Sequence, residues 1–369
     1  MRIALAVLLT AHALIHLMGF LKAFGFAELP QFTIPMSKPL GVAWLVAMLA
    51  LLGATTVLFA APRSFWLVGG FGILISQFVI VSSWSDAKFG TLLNLFALLA
   101  VVHGAFSRGP FGLHAAYERE VRRGLTARAA MPIVTEADLG PLPAPVQRYL
   151  RFAGVVGQPR VQNYRVRFVG RIRSAVDAPW MPFTGEQLSF VDPPKRLFMM
   201  DAKMKGLPVD VFHSYIEAEA RMRVKLLSLY PMVNAGGFDF TSAETVTVFN
   251  DMCVIAPATL IGPAITWKSI DGKTVQGTFT NSGHTIRAVL YFDDSGALVN
   301  FTTDDRPGLA PDGKTLVPQR WSTPLTGYRT YGASLLASHG DARYAPTSGE
   351  FTYGEFDLRE IAYNVDSAE

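Results

Sequence analysis

Two histidines stand four residues apart in an apolar stretch near the start of the chain. The stretch reads TAHALIHLMG and places His12 and His16 at positions i and i+4. Side chains at this spacing lie on one face of a helix, which is the arrangement that a metal or haem site uses. The same arrangement is typical of a polar contact between helices. Which chemistry applies depends on the elements that hold the two rings.

The histidines fall in the most apolar part of the chain. Half of the 369 residues are hydrophobic, and the mean hydropathy is +0.28. Residues 1–106 hold five Lys or Arg and two acidic residues. They contain four apolar runs, near 3–21, 40–61, 65–84 and 89–106, each close to the roughly 20 residues of a spanning helix. We predict a four-helix transmembrane bundle over 1–106. The rival interpretation of the first run is a secretory signal peptide, which the continuation to Leu21 disfavours.

Basic residues near the predicted spans set their orientation. Seven arginines, from Arg2 to Arg128, lie on one side, and Lys22, Lys38 and Lys88 lie on the other. Because short basic loops stay in the cytoplasm, we expect both termini there, and with them the C-terminal domain.

Four polar residues are predicted at neighbouring depths inside this bundle. The helical rise places His16, Gln77 and Asn94 at roughly 18 to 19 Å from the cytoplasmic ends of their spans, and His12 at about 13 Å. The first interpretation of this intramembrane polar layer is a set of hydrogen bonds between helices. The second is a proton or quinone site. A haem or metal site lacks a nearby carboxylate or cysteine ligand, so we predict no metal and no cofactor.

The net charge of +4 does not indicate a nucleic-acid-binding protein. Residues 107–128 carry five arginines and two acidic residues, which leaves 23 basic and 25 acidic residues for 129–369. The basicity therefore belongs to the predicted bundle and its flank. We interpret 107–140 as a basic juxtamembrane helix and linker, which either contacts anionic lipid head groups or is an ordinary solvated connector. Membrane lipids are expected partners, and nucleic acid is not.

The remaining residues, 141–369, have the pattern of a β-rich domain. NYRVRFVGRIR alternates between the two faces of a strand, and further strands are predicted up to residue 363, with IDGK and DDSG as turns. Sequential strands with short turns predict a mainly antiparallel, curved, half-barrel-like sheet. One helix interrupts it, with Thr241 and Glu244 of TSAE as the capping box at its start. The fold class is therefore α+β.

Catalytic signatures are missing from the sequence. It has no G-x-S-x-G elbow, P-loop, H-E-x-x-H or C-x-x-C in a convincing context. Ser338, His339 and Asp341 in SHGD are interpreted as a loop, because triads are assembled by geometry across a fold. Arg306 is interpreted as part of an ion pair at a loop end, and Cys253, the only cysteine, as core packing. No catalytic residue is assigned; the sequence leans against an enzyme and leaves the question open.

Methionine and aromatic residues crowd one quarter of the β-rich domain. Core packing is the ordinary explanation for such a cluster. Methionine-rich surfaces also adapt to irregular ligands, so the alternative is a pocket for an acyl chain or another hydrophobic small molecule. The predicted lining residues of that pocket are Phe183, Phe198, Met200, Phe212, Met222 and Leu226.

The chain resembles an uncharacterised bacterial family, a domain of unknown function found on membrane proteins. The resemblance rests on the HALIHLMGFLKAFG opening, four apolar helices, and a β-rich region running from PWMPFTGEQLSF through ETVTVFNDMCVIAPATLIGPAITWKSID to GEFTYGEFDLREIAYN. It implies a multi-pass protein of the bacterial inner membrane, and no catalytic residue can be carried over from it. At fold level, the β-rich domain also resembles half-open barrels with a helical plug that bind acyl chains in lipoprotein carriers.

Two functions therefore stay open. The first is a membrane protein whose β-rich domain binds a hydrophobic or lipid-like ligand next to the bilayer. The second is a membrane enzyme, or a redox or proton-handling protein, that uses the His12 and His16 face of the bundle. Neither the ligand nor the oligomeric state follows from the sequence.

The charge distribution makes a prediction about topology. A reporter enzyme fused after Glu369 is expected to be active in the cytoplasm, because seven basic residues flank that side of the predicted spans and three flank the other. Activity of reporter fusions in the cytoplasm and the periplasm measures this directly. Strong periplasmic activity would reverse the predicted orientation.

Overall fold

The computed structural model describes residues 2–125, 130–310, 315–346 and 349–367, and the chain divides into two compact units. The first unit is Met1–Ala116 and the second is Tyr117–Glu369. The predicted α+β class is confirmed, with apolar helices first and a large, curved, unclosed antiparallel sheet after them.

Four long helices make up most of the first unit. They are α1 (Arg2–Ala23), α2 (Lys38–Ala60), α3 (Phe65–Ser82) and α5 (Gly90–Ser107), with a short α4 (Trp84–Ala87) before the last. Each of the four is long and apolar enough to cross a membrane. Small residues let them approach closely, as is common between spanning helices. A Cβ at Gly19, for example, would lie 2.2 Å from the Trp44 ring, so α1 packs against α2 only with glycine there.

The later helices are short except for one. They are α6 (Leu113–Gly124), α7 (Glu136–Leu139), α8 (Ala144–Phe152) and α9 (Phe238–Val254). Val134 and Leu139, which fall in the sequence region interpreted as a linker, are buried in the core of the second unit. There they meet the apolar face of α8, where Val146, Tyr149 and Leu150 are fully buried, at the i, i+3 and i+4 positions of one helix face.

The second unit is built on one large sheet. Its strands, with those of a separate two-stranded sheet, are β1 (Asn163–Ile172), β2 (Met181–Phe190), β3 (Lys195–Met204), β4 (Leu207–Ile216), β5 (Glu219–Leu226), β6 (Tyr230–Gly236), β7 (Ile265–Ser269), β8 (Thr274–Asn281), β9 (His284–Phe292), β10 (Leu298–Thr303), β11 (Gly308–Leu309), β12 (Leu316–Val317), β13 (Arg320–Ser322), β14 (Leu325–Tyr331), β15 (Ser334–Ala345) and β16 (Phe351–Tyr363). Strands β11 and β12 form the small sheet.

The strand order divides the large sheet into two halves. The order is β6-β5-β4-β3-β2-β1-β16-β15-β13-β10-β9-β8-β7, with β14 paired to β15, and every pairing is antiparallel. The first six strands form one meander and β7 to β10 form another. The final strand joins them, because β16 pairs with β1 on one side and with β15 on the other.

Helix α9 connects the two meanders and packs against the sheet. Val246, Phe249 and Cys253 are fully buried, and Phe249 stacks on Phe279 with 5.5 Å between ring centroids. Burial of such side chains contributes about 1.5 to 3 kcal/mol each relative to exposure. The apolar face of α9 thus fixes its position over the second meander.

Two local predictions were wrong. Helix α9 begins at Phe238 rather than Thr241, and the Thr241 hydroxyl accepts a hydrogen bond from the Ala220 amide on β5, so Glu244 is not a capping residue. The SHGD segment lies within β15 instead of a loop. Leu336 and Ala342, which flank this segment on β15, are both buried. They lie on one side of the sheet, because every second side chain of a strand faces the same side.

Candidate functional site

A cavity of about 940 Å³ lies inside the second unit. Strands β1 to β6 form one wall, and α9 with β15 and β16 forms the other. Alternation along each strand builds the wall, because every second side chain faces the same side of the sheet. On β3 the inward residues are Arg196, Phe198, Met200, Ala202 and Met204.

Most of the cavity wall is apolar. Phe198 and Met200 are each 5% exposed, and they belong to one cluster with Val209 and Val211 of β4. The ring of Phe168 packs edge-on against Phe198, at a centroid distance of 6.3 Å. A wall of aromatic, methionine and valine side chains suits a hydrocarbon group, because it offers few polar partners.

The six predicted lining residues occupy three different positions. Phe198, Met200 and Met222 line the cavity. Phe183 and Leu226 pack in the same apolar cluster without lining the cavity. Phe212 lies on the opposite face of β4, where its ring meets Tyr117 of α6 at 6.0 Å. Sequence crowding placed Phe212 with the others, but strand alternation separates it from its neighbours Val211 and His213.

One end of the cavity is polar. Arg196 of β3 donates from Nε to Asp251 Oδ2 of α9 at 2.7 Å, and Gln187 Nε2 of β2 donates to the same carboxylate oxygen at 2.7 Å. All three side chains line the cavity. Because Asp251 is buried, its negative charge depends on these two donors.

A second buried ion pair stands beside the first. Arg306 Nη2 donates to Glu244 Oε1 at 2.9 Å, and Arg306 also donates to Thr247 and Tyr344. Burial by itself raises the pKa of Glu244, but the guanidinium groups of Arg306 and Arg196 act against it, and the net shift lowers that pKa. Glu244 is therefore a buried, ionised partner of Arg306.

His213 lies between the two ion pairs. Arg196 Nη1 donates to His213 Nδ1 at 3.1 Å, so the ring hydrogen is on Nε2, which lies 3.3 Å from Glu244 Oε2. Burial lowers the pKa of His213 to about 4; Glu244 opposes this shift, and Arg196 and Arg306 reinforce it. The imidazole is neutral at pH 7, so the two arginines and two carboxylates balance each other.

The Gln187 side chain leaves one atom of this polar end unpaired. Its amide nitrogen donates to Ser189 and Asp251, which fixes the orientation of the amide group. Its Oε1 is buried and has no hydrogen-bond partner within the described part of the chain. A buried carbonyl oxygen without a donor costs free energy, and a donor group of a bound molecule would remove that cost.

His339 lies at another edge of the cavity. Its Nδ1 is 2.7 Å from Asp357 and its Nε2 is 3.2 Å from Asp341, so neither nitrogen bonds to the adjacent Ser338. The hydrogen bond to Asp357 raises the pKa of His339 most, and Asp341 adds to the rise. The SHGD segment is therefore an acid-paired histidine and not a nucleophile with its base.

The pairing of Arg196 with Asp251 and of Arg306 with Glu244 was missed by sequence reasoning, although a signal was present. Glu244, Thr247 and Asp251 are spaced i, i+3 and i+7, which puts them on one face of α9. Arg196 occupies an inward position in the alternation of KRLFMM. Charged residues at buried positions of two elements indicate pairing, but only the fold shows which residues pair.

The four residues of the predicted intramembrane polar layer, His12, His16, Gln77 and Asn94, have partners that differ in part from those that the sequence predicted. His12 Nε2 donates to Asn94 Oδ1 at 2.9 Å and lies 3.2 Å from Ser76, and Asn94 Nδ2 donates to Gln77 Oε1 at 3.0 Å. His16 donates from Nδ1 to the His12 carbonyl of its own helix. Asn94 is thus joined to His12 rather than to His16, because depth alone does not give the rotation of a helix.

The fold and the site define a class of protein. It combines helices suited to spanning a membrane with a curved antiparallel sheet that encloses an apolar cavity with a polar end. The chain belongs to the family of unknown function DUF6544, whose sequence profile matches residues 132–356. This confirms the predicted membership of an uncharacterised family.

Solved structures give weak similarities to the chain. A LolA superfamily protein from Nitrosomonas europaea has 11% identity and a TM-score of 0.34, with 60% of this chain and 94% of that chain covered. A putative outer membrane lipoprotein-sorting protein domain from Vibrio parahaemolyticus has 10% identity and a TM-score of 0.34, with 56% and 87% covered. A DUF1329 family protein from Desulfovibrio piger has 13% identity and a TM-score of 0.35, with 61% and 94% covered. No curated protein matches the chain.

The two kinds of ion pair in the second unit are expected to differ in stability. Glu244→Gln should lower the free energy of unfolding by about 3 to 5 kcal/mol, because it leaves the buried Arg306 charge unpaired. Asp304→Asn breaks the exposed pair with Arg320, whose atoms are 2.9 Å apart, and serves as the control. It should cost no more than about 1 kcal/mol. Urea unfolding of the full chain in detergent measures both, and equal losses would contradict the buried pairing.

Proposed function

We propose that this protein is a membrane-anchored binding protein that holds a hydrophobic, lipid-like molecule in the cavity of its second unit. The cavity carries the proposal. Its volume of about 940 Å³ lies near the upper end of the roughly 300 to 1,000 Å³ of ligand pockets. Its wall is supplied mainly by apolar side chains such as Phe198, Met200 and Val211. Core packing alone would fill this space, because protein interiors are close-packed.

The first unit supports membrane anchoring. Its four long apolar helices expose large apolar side chains, including Leu74 at 72% and Phe78 at 61%. A soluble protein rarely exposes so continuous an apolar surface, whereas a bilayer covers it. With the basic residues on the side predicted for the cytoplasm, the second unit lies next to the inner face of a bacterial inner membrane.

The polar end indicates the head group of the ligand. Arg196 is already paired with Asp251 and Arg306 with Glu244, so an anionic head group would have to compete with a buried carboxylate. The unpaired Gln187 Oε1 instead needs a donor. A hydroxyl group supplies one without adding a charge. The proposed ligand is therefore an apolar chain that ends in an uncharged, hydroxyl-bearing group.

A cavity-filling variant tests where the ligand binds. Ala202→Trp places an indole in the cavity, because Ala202 is a lining residue on β3 and only 4% exposed. Ala333→Trp adds the same group to an exposed turn and is the matched control. We expect a fluorescent hydrophobic probe to bind the full chain and the control about equally, with binding at least about tenfold weaker in Ala202→Trp. Equal binding by both variants would place the ligand elsewhere.

The same assay separates the head groups. A long-chain alcohol is expected to displace the probe at a lower concentration than the fatty acid of the same length at pH 7. In Gln187→Met this preference should shrink, because the acceptor oxygen is lost. Stronger displacement by the fatty acid would contradict the uncharged head group while leaving the cavity assignment intact. Mass spectrometry of lipids that remain bound to the purified chain would then identify the natural ligand.

The helix bundle supports a second candidate, in which the histidine face handles protons or binds a quinone. His12 Nδ1 and His16 Nε2 are buried and lack a hydrogen-bond partner among the described residues. Both nitrogens carry free lone pairs, because the other nitrogen of each ring donates its hydrogen. A free imidazole lone pair accepts a proton or a hydroxyl donor, and ionisable groups inside a membrane are commonly functional.

Two histidine variants distinguish structure from chemistry in the bundle. If these polar side chains only hold the helices together, as a structural layer, His12→Leu should lower bundle stability by roughly 1 kcal/mol, because Asn94 and Ser76 lose a partner. His16→Leu should lower it by less, because His16 bonds only to the His12 carbonyl of its own helix. Binding of a quinone should be unaffected by either. For a chemical site, either variant abolishes quinone binding measured in nanodiscs, whereas His103→Leu, near the predicted cytoplasmic interface, leaves it intact. A Soret band or stoichiometric iron in the purified protein would indicate haem and contradict the structural layer.

A further inference from the structure

Exposed apolar side chains cluster at one end of the large sheet in the second unit. They come from the ends of β3 to β6, and the most exposed are Leu207, Leu229, Tyr230 and Met232, at 46%, 38%, 68% and 43%. The two turns that carry them are adjacent, because the Leu227 amide donates to the Pro208 carbonyl at 2.8 Å. We call these residues, with Leu227, the apolar tips.

Basic residues accompany the apolar tips. Lys203, near the end of β3, and Lys205, in the turn that leads to Leu207, are exposed. Trp180 lies on the loop between β1 and β2, and the guanidinium groups of Arg171 of β1 and Arg173 of the loop stack on its ring at 4.6 and 4.5 Å. Lysine, arginine, tryptophan and tyrosine are the side chains that anchor proteins at a lipid interface.

The cavity reaches the same end of the sheet. Its lining includes Met204, Lys205 and Gly206 of the first turn, Met232 of β6, and Trp180 of the facing loop. An apolar ligand that passes through this opening leaves the cavity among the apolar tips. Water would oppose that transfer, because exposing the apolar chain of the ligand to water is unfavourable.

We propose that the apolar tips insert into the head-group region of an anionic lipid bilayer and bring the cavity opening against it. Single exposed apolar residues are ordinary on a protein surface, but a contiguous cluster marks an interaction site. Lysines beside leucine and tyrosine side chains match an anionic lipid surface in charge and in polarity. The proposal rests on the exposed surface and not on the identity of the cavity ligand, so either stands without the other.

Single-cysteine labelling tests the contact on the full chain in nanodiscs. Cys253 is the only cysteine, it is buried, and burial raises the pKa of its thiol, so the unmodified chain is the unlabelled reference. Leu229→Cys places an environment-sensitive dye on an apolar tip. Ile270→Cys, at an exposed apolar residue in the turn between β7 and β8, is the matched control. Both labels are tethered to the same membrane-bound chain.

With anionic lipid, nitroxide-labelled lipids should quench the dye at residue 229 much more than the dye at residue 270. Lys203→Gln with Lys205→Gln should reduce the equilibrium constant for membrane contact about fivefold for each lysine removed.

Equal quenching at both positions, or none at residue 229, would overturn the proposal. The requirement for anionic lipid would be wrong if quenching at residue 229 were as strong in zwitterionic lipid, or in the lysine variant, as it is with both lysines in anionic lipid. Protection of the residue 229 label only after another protein is added would assign the apolar tips to a protein partner. Probe binding to the cavity is measured separately and does not enter this result.

Discussion

Two buried carboxylates on helix α9 impose the constraint on which the second unit depends. Glu244 and Asp251 lie on one side of this helix, and neither can remain ionised in the interior without a cationic partner. Arg196 comes from β3 in the first meander, and Arg306 follows β10 in the second. The helix is therefore joined by charge to both halves of the sheet. Any rearrangement that moves one half away leaves a charge buried and unpaired.

The cavity follows from the way α9 meets this requirement. Phe249 of the helix stacks on Phe279 of the second meander, while Asp251 accepts hydrogen bonds from Gln187 and Arg196 of the first. The sheet is curved and unclosed, so the space on that side is not filled by side chains. The two ion pairs join α9 to both halves of the sheet, and Phe198 and Met200 line the apolar space beside them.

The polar and apolar parts of the cavity together carry the proposal of an uncharged, lipid-like ligand. An apolar ligand gains from leaving water, and the wall of β3 and β4 provides that gain without specific bonds. The paired arginines add little attraction for an anion, since their charges are already balanced. In the proposed complex Gln187 Oε1, a buried acceptor without a hydrogen-bond partner among the described residues, distinguishes one end of a ligand from the other. Selection by a single uncharged contact is modest in free energy, typically about 0.5 to 1.5 kcal/mol.

The sequence by itself determined the features that depend on composition and local period. Four long apolar runs required helices suited to a bilayer, and strict alternation in segments such as NYRVRFVGRIR required strands of an antiparallel sheet. The apolar crowding also pointed to the region of the cavity, where Phe198, Met200 and Met222 line the wall. Only the tertiary structure decided that Phe212 faces away, that His12 rather than His16 reaches Asn94, and that Glu244 pairs with Arg306 instead of capping a helix. The physical reason is the same in each case. The partners of a side chain are set by the rotation and register of whole elements that are distant in the chain, and local spacing carries no record of either.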